Sequence, residues 1–408
     1  MTSITFYFQV HQPYRLRRYG ISDIGEAHDY FDDGLNEMIV KRVAERCYLP
    51  MNAVLKEAIE ETEGRFRCAF SISGTALSQL EAWAPEAIDS FRDLVDTGAV
   101  EMLCETSQHS LAGLADPEEF ARQVESQRAT LERLFDVRPR AFRNTELILD
   151  TELLQRIEGL GFDVVVGEGA EPLLGWRTPH LVYRPTGCRE LSLLLRAYSF
   201  SDDIAFRFSN DEWEGYPLFA DVFAESLEEV PEAAAFVGLF MDYETFGEHQ
   251  HESTGILDFM RALPGYVLES ERFDFATPSE VAEAHPPRAQ LAFPRPISWA
   301  DAERDLSAWL GNPMQRAAHE AVYELGPSAR AAAESGNPAL YEAWRKLTTS
   351  DHTYYMSTRH VEESDGDVHE YFSPYDTPHD AFITYMNVVE DLSARLAAAV
   401  GPPERPHP

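Results

Sequence analysis

Seven short apolar runs, at residues 4–10, 65–72, 100–104, 140–144, 163–166, 190–196 and 235–241, each read as a buried strand. Helix-like stretches separate them. In "PEEFARQVESQRATLERLF" (117–135) apolar residues return at helical spacing, and "TELLQRIEGLG" (151–161) offers Thr151 as an N-cap and Gly161 past the helix end. Strand–helix alternation over nearly 290 residues restricts the chain to a parallel α/β architecture, closed or nearly closed as a barrel. An open doubly wound sheet is the alternative, although no glycine-rich nucleotide loop follows any strand. At 285–297 the pattern breaks. "HPPRAQLAFPRPI" holds four prolines and reads as a linker or a surface strap. Beyond it the strands fade, and "ADAERDLSAWLG", "QRAAHEAVYELG", "PALYEAWRKLTT" and "HDAFITYMNVVEDLSARLAAAV" are helical patterns. The expected division is a catalytic barrel at 1–290, a helical domain at 291–400 and a flexible tail, "GPPERPHP", at 401–408.

In a parallel barrel, ligands meet the C-terminal ends of the strands. The first run ends in His11 and Gln12, the third leads to Glu105 and His109, and the fourth to Arg143 and Glu146. The seventh runs into "FMDYETFGEHQ" (240–250), with Asp242, Glu244 and His249. Singly, each has a plain explanation: a hydrogen-bonded core histidine, a solvated loop acid, a turn or capping aspartate. Together they place acids, histidines and amides from four strands on one rim. Two carboxylates from opposite strands suit glycosidic bond cleavage, one as nucleophile and the other, with a raised pKa, as proton donor. Tyr243, Phe246 and Trp176 suit the apolar faces of a sugar, and the histidines, Arg143 and Gln12 suit its hydroxyls.

The net charge is −36, and three lysines stand against 31 arginines. So acidic a surface disfavours nucleic acid and anionic membranes as partners. Molar salt shrinks the Debye length to about 3 Å and screens the self-repulsion. The composition therefore points to a salt-filled cytoplasm, with an acidic protein of ordinary salt as the alternative. Cys47, Cys68, Cys104 and Cys188 lie far apart with no CxxC spacing, so reduced core thiols are expected, and no metal or other cofactor. "MTSITFYFQVHQP" lacks a basic region and a long apolar region, so neither a signal peptide nor a membrane span is expected.

The motifs "HQP" (11–13), "VEMLCETSQHSLA" (100–112), "FRNTELILD" (142–150), "YSFSDDIAFRFS" (198–209), "LFMDYETFGEHQ" (239–250), "ISWADAERDLSAWLGNPMQ" (297–315) and "TSDHTYYMST" (349–358) come in an ordered set. It resembles glycoside hydrolase family 57, and most closely its shorter archaeal α-amylase subgroup. The resemblance implies an incomplete seven-stranded (β/α) barrel followed by a C-terminal helical domain. It also implies a retaining mechanism on an α-glucan or maltooligosaccharide, with Glu146 as nucleophile and Asp242 as acid/base. In that geometry the two carboxyls stand about 5–5.5 Å apart. His11 takes the place of the histidine beside the scissile bond, and at the second shared stretch, where members carry glutamate or histidine, stands His109. Glu244 and His249 are expected to position Asp242 or bind hydroxyls. Trp176, Trp299, Trp309 and Tyr354 are expected as sugar or wall contacts, with the core as their alternative place.

Three rival readings stand beside this one. "FDDG" (31–34) matches the metal signature of polysaccharide deacetylases, whose chemistry needs an Asp and two His around a divalent metal. Here, however, it does not end an apolar strand, and "HSLAG" (109–113) lacks the second histidine. A non-catalytic glucan-binding protein would not need both acids. A 4-α-glucanotransferase would use the same pair and differ in whether water or a sugar hydroxyl takes the glycosyl group. Oligomeric state is not written in these residues.

The charge pattern carries a prediction. The melting temperature and activity should rise together as KCl is raised from dilute buffer to about 1 M, the range over which surface repulsion is screened. Full activity and a high melting temperature in dilute buffer would count against the high-salt reading.

Overall fold

A computed structural model describes residues 1–300, 302–359 and 373–400, so the expected tail at 401–408 lies outside the described residues. The first apolar run forms β1 (Thr2–Val10). Ile4, Phe6, Phe8 and Val10 point to the surrounding helices, while Tyr7 points into the barrel. Burial on both faces is why this run reads as almost continuously apolar. The other strands are β2 (Cys68–Ile72), β3 (Val100–Met102), β4 (Ala141–Arg143), β5 (Val164–Glu168), β6 (Tyr183–Pro185), β7 (Ser192–Arg196), β8 (Phe236–Asp242), β9 (Phe273–Phe275) and β10 (Ala289–Leu291).

Seven of these close a ring of parallel neighbours in the order β1, β2, β3, β4, β5, β7, β8 and back to β1. They are the seven runs expected from the sequence. The barrel interior holds Tyr7, Ala69, Leu103, Ala141, Val164, Val166, Leu194 and Phe240, drawn from strands all round the ring. Its joints are unequal. β1 pairs with β8 from Ser3 to Gln9, whereas β3 and β4 meet through the bridge Cys104–Phe142 and β7 and β8 through Arg196–Gly238. At Gly238 an added Cβ would stand 2.7 Å from the Leu195 carbonyl, so glycine is what lets the last seam close.

The expected helix at 151–161 forms at Thr151–Gly159, but its N-cap is Asp150 rather than Thr151. The Asp150 carboxylate accepts from the Leu153 amide at 2.8 Å, and its extended backbone leaves Thr151 already helical. Gly161 does end the turn, at φ +83°. The helix Pro117–Phe135 is capped by Asp116 and stopped by Asp136 in a left-handed conformation. β6, β9 and β10 were not expected. None is an apolar run, since β6 is Tyr-Arg-Pro, β9 is Phe-Asp-Phe and β10 is Ala-Gln-Leu, and β10 lies inside the proline-rich segment. That segment is therefore not a free strap: β10 pairs with β6, and Ile297 bridges Leu149 beside the fourth strand's exit.

Beyond it come helices at Ser307–Leu310, Pro313–Glu324, Gly326–Glu334, Pro338–Leu347, Ser350–Tyr354 and Pro378–Val400. They surround a core of their own, around Trp344, Leu347, Tyr385, Val388 and Leu392. Leu16, Tyr19 and Tyr30, from the excursion after β1, belong to that same core. The "FDDG" signature has a local explanation: Asp32 caps the helix Asp33–Val43, accepting from the Leu35 amide at 2.9 Å.

Downstream of β8, Gly247 sits at φ +116°, where a Cβ would meet the Arg46 carbonyl at 2.0 Å. Gly247→Ala is predicted to lose more than about 1 kcal/mol, because backbone conformation and space both forbid the methyl. A urea midpoint lowered at unchanged slope is the expected result; an unshifted midpoint would show that this turn bears no load.

Candidate active site

β4 leads into a tight 3₁₀ turn, Thr145–Leu147, in which Glu146 adopts φ 55°, ψ 26°. A non-glycine residue in the left-handed region is strained, and such strain persists where the surroundings over-determine it. Here they do. His109 Nε2 lies 3.0 Å from Glu146 Oε1, and the Trp299 indole N–H donates to Oε2 at 2.7 Å. His109, at φ 49°, is itself left-handed. Its Nδ1 lies 2.9 Å from Oε2 of Glu105, which is wholly buried.

These contacts set the charges. Burial acts to raise the Glu146 pKa, but the hydrogen bond and charge of His109, with Arg143 and Trp299, outweigh it and hold the carboxyl below the usual glutamate value. Burial acts to lower the His109 pKa, and the two carboxylates overcome it, pushing it up to about 9. Asp242, at the end of β8, goes the other way. Burial first and the Glu146 charge second push it up to about 6. The pair is thus split into an ionised carboxylate and one poised to hold a proton.

His11, at the end of β1, stacks on His109 with ring centroids 3.9 Å apart. Its Nδ1 is 2.8 Å from Ser73 Oγ and its Nε2 2.8 Å from Asp351 Oδ2, so both ring nitrogens are occupied. Burial, then the charge of His109, lowers its pKa, while that of Asp351 is held well below the usual carboxylate range by His11 despite burial. Glu244 lies behind this layer. The Tyr48 hydroxyl donates to its Oε1 at 2.5 Å and the His11 amide at 3.3 Å, and burial and the Asp242 charge push its pKa up to about 8.

Trp299 lies between two cations, with Arg143 5.0 Å and Arg196 5.8 Å from its ring centroid. Arg196 ends β7, pairs with Glu168 and Asp202, and donates to the Phe240 carbonyl at 2.7 Å. Arg304 donates to the Trp299 carbonyl and stands 3.9 Å from Glu168 and 3.8 Å from Asp202.

The structure therefore gathers His11, His109, Glu146, Asp242, Glu244 and Trp299 around one mouth. Other expected sugar contacts are placed differently. Arg143 is fully buried beneath Trp299; it acts on Glu105, Glu146 and Asp242 through its charge rather than by touching a hydroxyl. Phe246 is fully buried, edge-on to Phe8, and Tyr243 beside it is equally buried, because the turn after β8 folds back onto the helix-facing core. Trp309 is also core. Tyr354 packs near it, and the two back the loops carrying Leu111 and Ile148. Gln12 is buried, its side-chain oxygen accepting from Arg15 at 3.2 Å. Burial lowers the pKa of His249 to about 4. Trp176, on the loop leaving β5, is 90% exposed and touches Arg177. Not expected were Asp351, Ser73, Tyr48 and Arg196. Arg196 had a visible signal, a charged residue closing the apolar run "LSLLLR", and Asp351 lay inside the motif "TSDHTYYMST"; Ser73 and Tyr48 had none.

The family profile for glycosyl hydrolase family 57 matches residues 5–294. A protein of Methanocaldococcus jannaschii named "Putative alpha-amylase" is 40% identical over 403 residues, which is 95% of this chain and 84% of the relative. Among solved structures, a GH57 branching enzyme from Thermococcus kodakaraensis superposes with a TM-score of 0.68 at 15% identity, covering 97% of this chain and 90% of the other. The 4-alpha-glucanotransferase of Thermococcus litoralis does so with a TM-score of 0.58 at 18% identity. That match covers 85% of this chain but 48% of the transferase, so the chain spans about half of that protein's length. Such low identities bear on the fold alone; the profile and the 40% relative carry the assignment. The chain belongs to glycosyl hydrolase family 57.

Proposed function

We propose that the protein is a retaining glycoside hydrolase of the α-amylase type. It cleaves α-1,4-glucosidic bonds in starch, glycogen or maltodextrins, with Glu146 as nucleophile and Asp242 as acid/base. The observation that carries this is the opposed electrostatics of the two carboxyls: Glu146 kept anionic by His109 and Trp299, Asp242 pushed up to about 6 by burial and by Glu146 itself. Two acids driven apart in this way divide into nucleophile and proton donor. The named relative from M. jannaschii supports the α-amylase reading. Glu146 attacks the anomeric carbon while Asp242 protonates the departing oxygen, and Asp242 then deprotonates the water that releases the sugar. Asp351, about a fifth exposed beside His11, supplies an acceptor for sugar hydroxyls at the same mouth.

The net charge and scarcity of lysine support work in concentrated salt, in the manner of halophilic archaeal members of the short α-amylase subgroup. Among the described residues, no helix is long and apolar enough to cross a membrane.

Product analysis on soluble starch and maltoheptaose, in about molar KCl to screen the acidic surface, tests the assignment. Shorter maltooligosaccharides are expected from wild type. Asp242→Asn should lose about 10²–10⁴-fold in rate, the usual worth of a general acid/base, and Glu146→Gln should lose the covalent route altogether. Longer products beside short ones would reassign the protein as a transferase; bound maltodextrin with no product from wild type would make it a binding protein.

The pH profile is a second prediction. kcat/KM needs Asp242 protonated and Glu146 ionised, so it should fall as pH rises through about 6. Its acid limb should lie below the ordinary glutamate range, because Glu146 is lowered. A profile flat through pH 6 would exclude Asp242 as the donor.

A further inference from the structure

His109 is held between two carboxylates, 2.9 Å from Glu105 Oε2 at Nδ1 and 3.0 Å from Glu146 Oε1 at Nε2. A neutral imidazole donates from one nitrogen only; an imidazolium donates from both. Both contacts are therefore satisfied together when the ring is charged. Glu105 is 0% exposed and out of a substrate's reach. Its Oε1 accepts from Ser71 Oγ at 2.9 Å and from Gln9 Nε2 at 3.1 Å, and the Tyr7 hydroxyl donates to Gln9 Oε1 at 2.7 Å. A buried chain thus runs from the barrel interior to the nucleophile. Around the ring stand Arg143, with Nη1 3.5 Å from His109 Nδ1, and the stacked His11 with its partner Asp351; Asp242 responds to the His109 charge. Arg143 and His11 face the ring from two sides without supplying a carboxylate, so Glu105 is the anion that keeps it charged from behind.

We propose that Glu105 is a positioning residue that acts through His109 to make Glu146 a good leaving group, so that it speeds the second half of the double displacement. The inference rests on the retaining reading above. In the first half, an electron pair of Glu146 forms the bond to the anomeric carbon as the glycosidic C–O bond breaks, and its pair takes the Asp242 proton. The carboxylate loses charge there, and its bond from His109 weakens. In the second half, water gives a proton to Asp242 and a pair to the anomeric carbon. The ester C–O bond breaks, and its electrons return to Glu146 as His109 is donating to Oε1. A cation at that oxygen favours the step in which charge returns.

Two measurements on the full chain test this. With ¹⁵N-labelled histidine, NMR should show His109 protonated on both nitrogens near neutral pH in wild type and neutral in Glu105→Gln. With 4-nitrophenyl α-maltooligosides, whose aglycone leaves readily, Glu105→Gln should lower kcat roughly ten- to a hundredfold, the scale of one hydrogen bond to a charged group. KM should fall alongside, with a nitrophenolate burst and a glycosyl-enzyme visible by intact mass. His109→Gln should give the same burst and serves if Glu105→Gln folds poorly. A neutral His109 in wild type overturns the proposal whether or not the protein cleaves glucans. An active wild type whose Glu105→Gln variant loses kcat/KM without a burst assigns Glu105 a purely structural role and overturns this inference alone. A wild type that releases no nitrophenolate while His109 stays charged removes the hydrolase reading and the leaving-group role with it.

Discussion

A ring of parallel strands closes only if every strand finds two neighbours, and with seven strands the pairing around this ring is uneven. The ladder is long between β1 and β8 and dwindles to one bridge at β3–β4 and one at β7–β8. These thin seams organise the mouth. Glu105 follows Cys104 at the first seam, and Arg143 and Glu146 follow Phe142 across it. Arg196 is itself the residue paired at the second seam, and Asp242 ends the strand facing it. Where ladder hydrogen bonds run out, backbone turns away and polar side chains can replace it. The left-handed turns at His109 and Glu146 both lie just past the first seam. Glu146 and Asp242 thus come from the two places where the barrel wall is least occupied by its own backbone.

Burying so many charges there is tolerable because each has a partner of opposite sign. His109 serves Glu105 and Glu146, Asp351 serves His11, and Arg196 serves Glu168 and Asp202. Two acids are exceptions, Glu244, which takes only the Tyr48 hydroxyl and the His11 amide, and Asp242. The Asp242 carboxyl takes no hydrogen bond among the described residues, and burial and Glu146 both act against its charge, while Glu244 lies behind it, so of the two it is the Asp242 proton that faces the mouth. Arg143, with Nε and Nη2 unpartnered, offsets the carboxylates around it through space.

The large features were legible in the sequence because each rests on a local pattern repeated often enough to see. The seven runs became the seven barrel strands, and the acids at their ends became the mouth. The omissions are physical in origin. β6, β9 and β10 are broken by Arg184, Asp274 and Gln290, and their pairing depends on what passes nearby rather than on an apolar run. Phe246 looked like a sugar platform because aromatic character is visible in a sequence, while the direction of a turn is not. Asp351 meets His11 across 340 positions, and no spacing rule reaches that far. Thr151 and Asp150 are both good caps; which one leaves the helix is decided by backbone direction alone.

The excursion after β1 shares its core with the last helix. Leu16, Tyr19 and Tyr30 pack with Tyr385, Val388 and Leu392, and buried Asp391 accepts from the Gly25 amide at 2.7 Å and the Tyr30 hydroxyl at 2.6 Å. β1 meets β2 early, but its other neighbours, β8 and β9, come far later in the chain. During synthesis, then, this excursion leaves the ribosome long before the helix that covers its aromatic side chains. Its shelter follows only after a long stretch of further chain, Asp391 lying 361 positions beyond Tyr30, and the nascent protein must hold this surface in reserve, a period in which chaperones and aggregation compete for it.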